Sequence, residues 1–432
     1  MVTLEQMRAS NARIPECLPA GLVAVFVGGT SGIGEATMKE LAKHAVQPRI
    51  YFLGRSERAA VRITNELAAI NPGGQYHFLQ ADLSLLQTVD EVCYELKGHE
   101  GVINLLFLTA GTMVTGKETP EHLYYPTALN YYSRIRLIVN LLPLLQKAPF
   151  LRRVVTVFGG TKEGAVSVGD LQGRSLGLPL SSRTCPPTPP ASTSSPPRPT
   201  PSPTSTGTSP LNNPKHHASH LAHLRAHTAS MTTLALESLA LEAPDVSFVH
   251  TFPGFVRSTH VGRELRKGGK AAKAAAAAAS GGNGGVGLMR SMLNKMVSST
   301  SGSSASVVSS LAEAGERQLF VATSGRFPAR SRGWGGRNNS TGGMSTASTA
   351  TGNSVLSAGG NGTAGVVLVE GSGVNVARGS DARQGSGVYS VGLDAEAKGE
   401  EAVRRLREED LVRRVWLHTI GEFLRVTGTE FV

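Results

Sequence analysis

An α/β chain is predicted, three-layered, with a doubly wound parallel sheet of about seven strands and low-complexity insertions. Three observations predict it. Gly28-Gly29-Thr30-Ser31-Gly32-Ile33-Gly34 directly follows the apolar run Leu22–Val27. Strand-like and helix-like patterns alternate from residue 22 to about residue 160. The same pattern resumes further on, after tracts of low complexity.

The strand-like runs in this first part are Leu22–Val27, Arg49–Leu53, Gln75–Leu79, Ile103–Leu108 and Val154–Phe158. The segments between them, Gly34–His44, Arg58–Ala69, Leu85–Leu96 and about His122–Gln146, place apolar residues at helical spacing. Asp82-Leu83-Ser84 supplies a helix-start signal before the third helix. This alternation implies right-handed crossovers with helices on both faces of the sheet. Met231–Ala243 then reads as a helix, Val246–Thr251 as a strand and Ser304–Thr323 as a helix. Gly387–Val391 reads as the last strand and Glu400–Val426 as one amphipathic helix. The expected organisation is an N-terminal extension (1–20), then a nucleotide-binding core (21–180 and 219–266). The C-terminal part of the same domain (304–330 and 366–432) follows. Three insertions interrupt it: a Pro/Ser/Thr tract (181–218), an Ala/Gly tract (267–303) and a Gly/Ser/Thr tract (331–365).

The glycine turn carries the first chemical signal. Backbone N–H groups at a helix start lack partners and sit at the positive end of the helix dipole. Glycines let the chain turn tightly and let a pyrophosphate approach the backbone. The net charge of +11 is spread without a dense Lys/Arg block or an aromatic ladder, so nucleic acid is not the expected partner. A small-molecule substrate is. The three cysteines, Cys17, Cys93 and Cys185, form no CxxC and point to a reducing, cytoplasmic setting. The longest apolar run, about Ile135 to Leu145, is broken by Arg136, Asn140 and Pro143, which excludes a membrane span there. His216/His220 and His223/His227 are four apart, yet no acidic or Cys partner sits nearby, so no metal ligands are assigned. Glu163 beside Lys162 reads as a surface pair.

The spacing Gly28-x-x-x-Gly32-x-Gly34 resembles that of the short-chain dehydrogenase/reductase family. So do Asp82 after the third strand, Thr109-Ala110-Gly111 after the fourth, Asn130 thirteen residues before Pro143, and Phe252-Pro253-Gly254 after the sixth. Thr156–Gly164 and Thr232–Glu237 are similar to a divergent fungal branch found near secondary-metabolite pathways. The resemblance implies a Rossmann fold and NADP(H)- or NAD(H)-linked reduction of a ketone or aldehyde of a small metabolite, or the reverse oxidation. It also implies homo-oligomers formed through helices four and five.

Gly28, Thr30, Ser31, Gly32, Ile33 and Gly34 would hold the cofactor's phosphates, Asp82 its adenine, and Pro253 and Gly254 its nicotinamide side, with Ala110 and Gly111 beside it. The second strand ends Leu53-Gly54-Arg55-Ser56, where family members preferring NAD carry an acid. A guanidinium pairs two-pronged with a ribose phosphate, so Arg55 favours NADP(H) over NAD(H); the other reading is a solvated loop residue.

The family's catalytic Tyr-x-x-x-Lys is missing, because no Tyr occurs between Tyr132 and Tyr389. Alignment puts His220 at the Tyr position, Leu224 at the Lys position and Gly159 at the Ser position. The catalytic candidates are therefore Asn130, His220 and Thr161, with Lys162, His223 and His227 also able to approach a nicotinamide. A catalytically inactive NADP(H)-binding sensor or partner protein is the alternative.

Overall fold

In a computed structural model of the chain, residues 1–176, 214–256, 308–330 and 365–432 are described. The strand-like runs become β1 (Val23–Val27), β2 (Arg49–Gly54), β3 (Gln75–Gln80), β4 (Leu105–Leu108), β5 (Arg153–Val157) and β6 (Ser247–Thr251). A separate short parallel pair, β7 (Phe255–Val256) and β8 (Val308–Ser309), precedes β9 (Val388–Val391). Seven strands form a parallel sheet in the order β3-β2-β1-β4-β5-β6-β9. The predicted doubly wound sheet is thus observed. Strand order reverses direction between β1 and β4, which opens a crevice at their carboxyl ends.

The helices are α1 (Leu4–Ala12), α2 (Ile14–Cys17), α3 (Gly32–His44), α4 (Glu57–Ile70), α5 (Leu86–His99) and α6 (Ser133–Lys147). They continue with α7 (Pro214–Glu242), α8 (Leu311–Thr323), α9 (Glu400–Glu408) and α10 (Leu411–Thr427). Side chains of β1 alternate between two apolar layers, as the strand period of two requires. Val23, Val25 and Val27 pack with Leu96 of α5, Leu141 of α6, Leu234 of α7 and Val415 of α10. Ala24 and Phe26 pack with Met7 of α1, Met38 of α3, Ile63 of α4 and Leu319 of α8.

Several elements depart from expectation. Residues 1–20 are more than an extension. Thr3 and Gln6 form a capping box for α1, and Asn11 Nδ2 donates to the Glu316 carbonyl on α8 at 3.0 Å. The His122–Gln146 pattern starts at Tyr125–Thr127 and passes through a π-helical turn, Ala128–Tyr132, before α6. The Ser304–Thr323 pattern opens as strand β8, and Ser310 then caps α8 through the Glu313 amide. The Glu400–Val426 helix is two helices, because Asp410 takes the left-handed φ of +56° that a continuous helix excludes. The tract 267–303 lies outside the described residues, as do 181–218 up to the start of α7 and 331–365 up to Gly365.

Candidate active site

The glycine turn sits at the carboxyl end of β1, and its geometry needs its glycines. Gly28 has φ +88°, and a Cβ there would lie 2.6 Å from the backbone N of Ala110. A Cβ on Gly34 would lie 2.6 Å from both the Gly28 carbonyl and Thr109 Oγ1. The turn is pinned on both sides. The amides of Gly28 and Gly29 donate to the Leu53 carbonyl at 3.0 and 3.1 Å. Thr109, in the family's Asn position, donates its hydroxyl to the Val27 carbonyl at 2.9 Å. Ser31 occupies the N-cap of α3 but makes no side-chain hydrogen bond to it, whereas Ser56 caps α4 through the Ala59 amide. The first amides of α3 therefore face the crevice without a side-chain cap.

Arg55 is exposed at the end of β2, one residue after Gly54, against which Thr30 packs. Asp82 is exposed after β3 and accepts from the Ser84 amide at 3.0 Å and hydroxyl at 2.8 Å. It closes a local turn and does not cap α5. That cap is Glu121, whose carboxylate accepts from the amides of Leu86 at 2.7 Å and Gln87 at 3.0 Å.

Next along the rim, Asn130 is buried in the π-helical turn. Its amide group grips the backbone of Thr112 both ways: Oδ1 accepts from the amide at 3.0 Å and Nδ2 donates to the carbonyl at 2.9 Å. Gly111 is fixed beneath it, since a Cβ there would lie 2.6 Å from Asn130 Oδ1. One turn on, the fully buried Arg134 ties β4 to β5. Its guanidinium donates to the Ala110 carbonyl at 2.6 Å, to Thr156 Oγ1 at 2.7 Å and to the Val157 carbonyl at 3.0 Å. With neutral partners only, burial pushes its pKa down to about 9. Sequence reasoning missed Arg134, because nothing local marks an arginine whose partners lie on two distant strands.

Beyond β5 a second buried network appears. The Gly159 amide donates to His250 Nε2 at 3.0 Å, which leaves the imidazole proton on Nδ1, facing Thr233 Oγ1 at 2.9 Å. Thr233 donates in turn to Glu163 Oε1 at 2.8 Å, and Ser390 donates to the same oxygen at 2.5 Å. Burial, reinforced by the Arg134 charge, holds the His250 imidazole down at about 3. Burial pushes the Glu163 carboxyl above its ordinary range. Glu163 is therefore no surface partner of Lys162: its side chain is fully buried and turned toward His250. Thr161 has φ +64°, and its amide donates to Ser390 Oγ at 2.7 Å.

The remaining candidates lie on α7. His227 is buried with Nδ1 accepting from the Ser167 amide at 3.1 Å and Nε2 donating to the Leu171 carbonyl at 3.0 Å, so it is a neutral clamp on a loop. Leu224 is buried against Gly173, and His223 is exposed. His220 is buried on α7. It is Arg225 that α7 lays beside Gly159: a Cβ at Gly159 would lie 3.9 Å from Arg225 Cγ and 3.0 Å from Ala229 Cβ. Arg225 and Lys162 both lie over the Phe252 ring, at 5.8 and 5.3 Å from its centroid. Pro253 and Gly254 follow, Gly254 at φ +76° against Leu393. Neither flanking tyrosine serves the rim. Tyr132 is bonded to His418 Nε2 at 2.7 Å, and Tyr389 donates to the Pro328 carbonyl at 2.6 Å.

A doubly wound sheet with a glycine turn at its switch point defines a Rossmann-type protein. Comparison with known proteins narrows the class. The profile of the short chain dehydrogenase family matches residues 22–155. An oxidoreductase of Emericella nidulans, AN1596, is 36% identical over 258 residues, covering 59% of this chain and 64% of that protein. The NmrA-like family domain-containing oxidoreductase notO of an Aspergillus species is 34% identical over 272 residues, covering 62% and 70%. The oxidoreductase andH of Emericella variicolor is 28% identical over 431 residues, covering 99% of both chains. The chain belongs to the short-chain dehydrogenase/reductase family, and is an NAD(P)-dependent oxidoreductase.

Proposed function

We propose that the protein is NADPH-dependent and reduces a ketone or aldehyde of a small metabolite, or oxidises the corresponding alcohol, in fungal secondary metabolism. The observation that carries the cofactor choice is Arg55, exposed at the end of β2 where no acid stands. NADPH, when bound, supplies the hydride. The residues fit such a group: Gly28 and Gly34 leave no room for side chains of their own, and α3 opens without a side-chain cap.

In this reading the amides of Ser31, Gly32, Ile33 and Gly34 bind the pyrophosphate, with Thr30 beside them. Arg55 pairs with the ribose phosphate, and Asp82 takes the adenine. Ala110 and Gly111 flank the ring system, and Pro253 and Gly254 border the nicotinamide. Asn130 is a positioning residue, since it holds the Thr112 backbone. Thr161 and His220 are the proton-donor candidates. Free cysteines Cys17 and Cys93 suit a reducing, cytoplasmic setting. Among the described residues no helix is long and apolar enough to cross a membrane.

Calorimetric titration with NADPH and with NADH tests the reading. NADPH should bind at least tenfold more tightly. Arg55→Ser should remove most of that preference and leave NADH binding unchanged. Equal binding of the two cofactors by the wild type overturns the NADPH assignment.

A further inference from the structure

The rim beyond β5 carries two cations that make no ion pair among the described residues. Lys162 comes from the turn after β5 and Arg225 from α7. They reach the same aromatic ring, Phe252, from which Lys162 Nζ lies 5.3 Å and the Arg225 guanidinium carbon 5.8 Å. Both are partly buried. Arg225 Nε is buried and makes no hydrogen bond. Among the described residues, neither has a carboxylate at ion-pair distance; compare Arg136, which is held by Asp90 at 2.7 Å. The acid next to Lys162 in sequence, Glu163, is turned away into the His250, Thr233 and Ser390 network.

Like charges brought together out of bulk water repel and lose hydration. Burial, Arg225 and Lys398 hold the Lys162 ammonium below its ordinary range against the opposing charges of Glu163 and Asp394, and burial lowers Arg225. Such a pair is preorganised for an anion: the guanidinium offers a planar fork and the ammonium a point charge. A planar carboxylate meets both demands. Its place is set by the neighbours, because Arg225 packs against Gly159 and Phe252 directly precedes Pro253 and Gly254.

We propose that Lys162 and Arg225, flanking Phe252, form a subsite for a carboxylate of the substrate, so that the carbonyl compound turned over is an oxo acid or another carboxylate-bearing ketone or aldehyde. This rests on the reading of the rim as the cofactor-binding face. The same two cations could instead serve a phosphate of the cofactor, and the experiment separates the two sources.

The full chain, saturated with NADP⁺, is titrated calorimetrically with benzoate and with benzamide, its uncharged isostere. Benzoate should bind and benzamide should bind at least tenfold more weakly. Arg225→Met and Lys162→Met should each weaken benzoate about tenfold, Arg225→Lys should weaken it less, and NADPH affinity should stay within about twofold in all three. Thermal melts of the variants check that they fold. Benzamide binding as tightly as benzoate, no benzoate binding, or benzoate binding untouched by both substitutions overturns the subsite. A tenfold loss of NADPH affinity in Arg225→Met assigns the cations to the cofactor and also overturns it. Failure of the wild type to bind NADPH or NADH is a separate result. It refutes the cofactor reading, and with it the subsite as stated.

Discussion

Gly28 illustrates how much a single residue can be asked to do. Its φ of +88° suits glycine, and its Cα faces the Ala110 backbone. Gly28→Ala should destabilise the fold by about 1–3 kcal/mol and abolish NADPH binding, read by urea unfolding and calorimetry. Gly28 was legible in the sequence because its requirement is local: a strand, a tight turn and a helix start written in consecutive residues. Arg134 and His250 were illegible for the opposite reason. Arg134→Met would leave the buried Val157 carbonyl and the part-buried Ala110 carbonyl without their donors, a loss on the order of 3 kcal/mol in unfolding free energy. His250 predicts a pH dependence. Its folded-state pKa of about 3 lies below the ordinary 6.5, so the unfolded chain takes up a proton that the folded one refuses. The stabilisation is complete above pH 6.5 and is lost as pH falls toward 3. Glu163, whose pKa is raised, contributes the opposite slope, so the comparison must be made against His250→Gln. Between pH 7.5 and 5.5, the wild type should lose about 1.4 kcal/mol relative to that variant in urea denaturation.

At the level of elements, the seven strands of the main sheet were read to within a residue or two because their apolar runs are bounded by turn residues and flanked by helical periodicity. Helix ends were harder. Asp82-Leu83-Ser84 looked like the start of α5, but the helix is capped from a loop by Glu121, thirty-five positions away from Leu86. Local residues announce a cap only when the cap is local. Glu121→Ala should therefore lower stability by about 1 kcal/mol and raise amide exchange at Leu86 and Gln87, while Asp82→Ala leaves those amides unaffected. The split between α9 and α10 escaped notice in the same way. Their shared apolar periodicity continues across Asp410, and only its left-handed backbone separates them.

For the whole molecule, the alternation of strands and helices sufficed to place the cofactor crevice, because chain topology alone puts the carboxyl ends of β1 and β4 together. The catalytic side was less legible. The helix that should present Tyr-x-x-x-Lys follows a tract without periodicity and has Leu224 at the Lys position; in the folded chain Leu224 is buried against Gly173 and Arg225 lies beside Gly159. The two ends of the crevice belong to one folding unit, with Thr109 bridging β4 to the glycine turn and Arg134 bridging β4 to β5. Ligand binding at either end should thus stabilise the unit as a whole. NADPH at a hundredfold its Kd should raise the unfolding free energy by about 2.7 kcal/mol in a single transition, seen as one shifted calorimetric peak.

The bond from the Gly159 amide to His250 Nε2 has a spectroscopic corollary. An amide proton held by an imidazole lone pair resonates away from those held by carbonyls, and burial keeps the ring behind it neutral near pH 7. Gly159 adjoins Arg225, and its signal would consequently register the arrival of a ligand on the rim as a chemical-shift change, free of any titration of the reporter itself. The fold carries its own indicator atom at the place where substrate is expected.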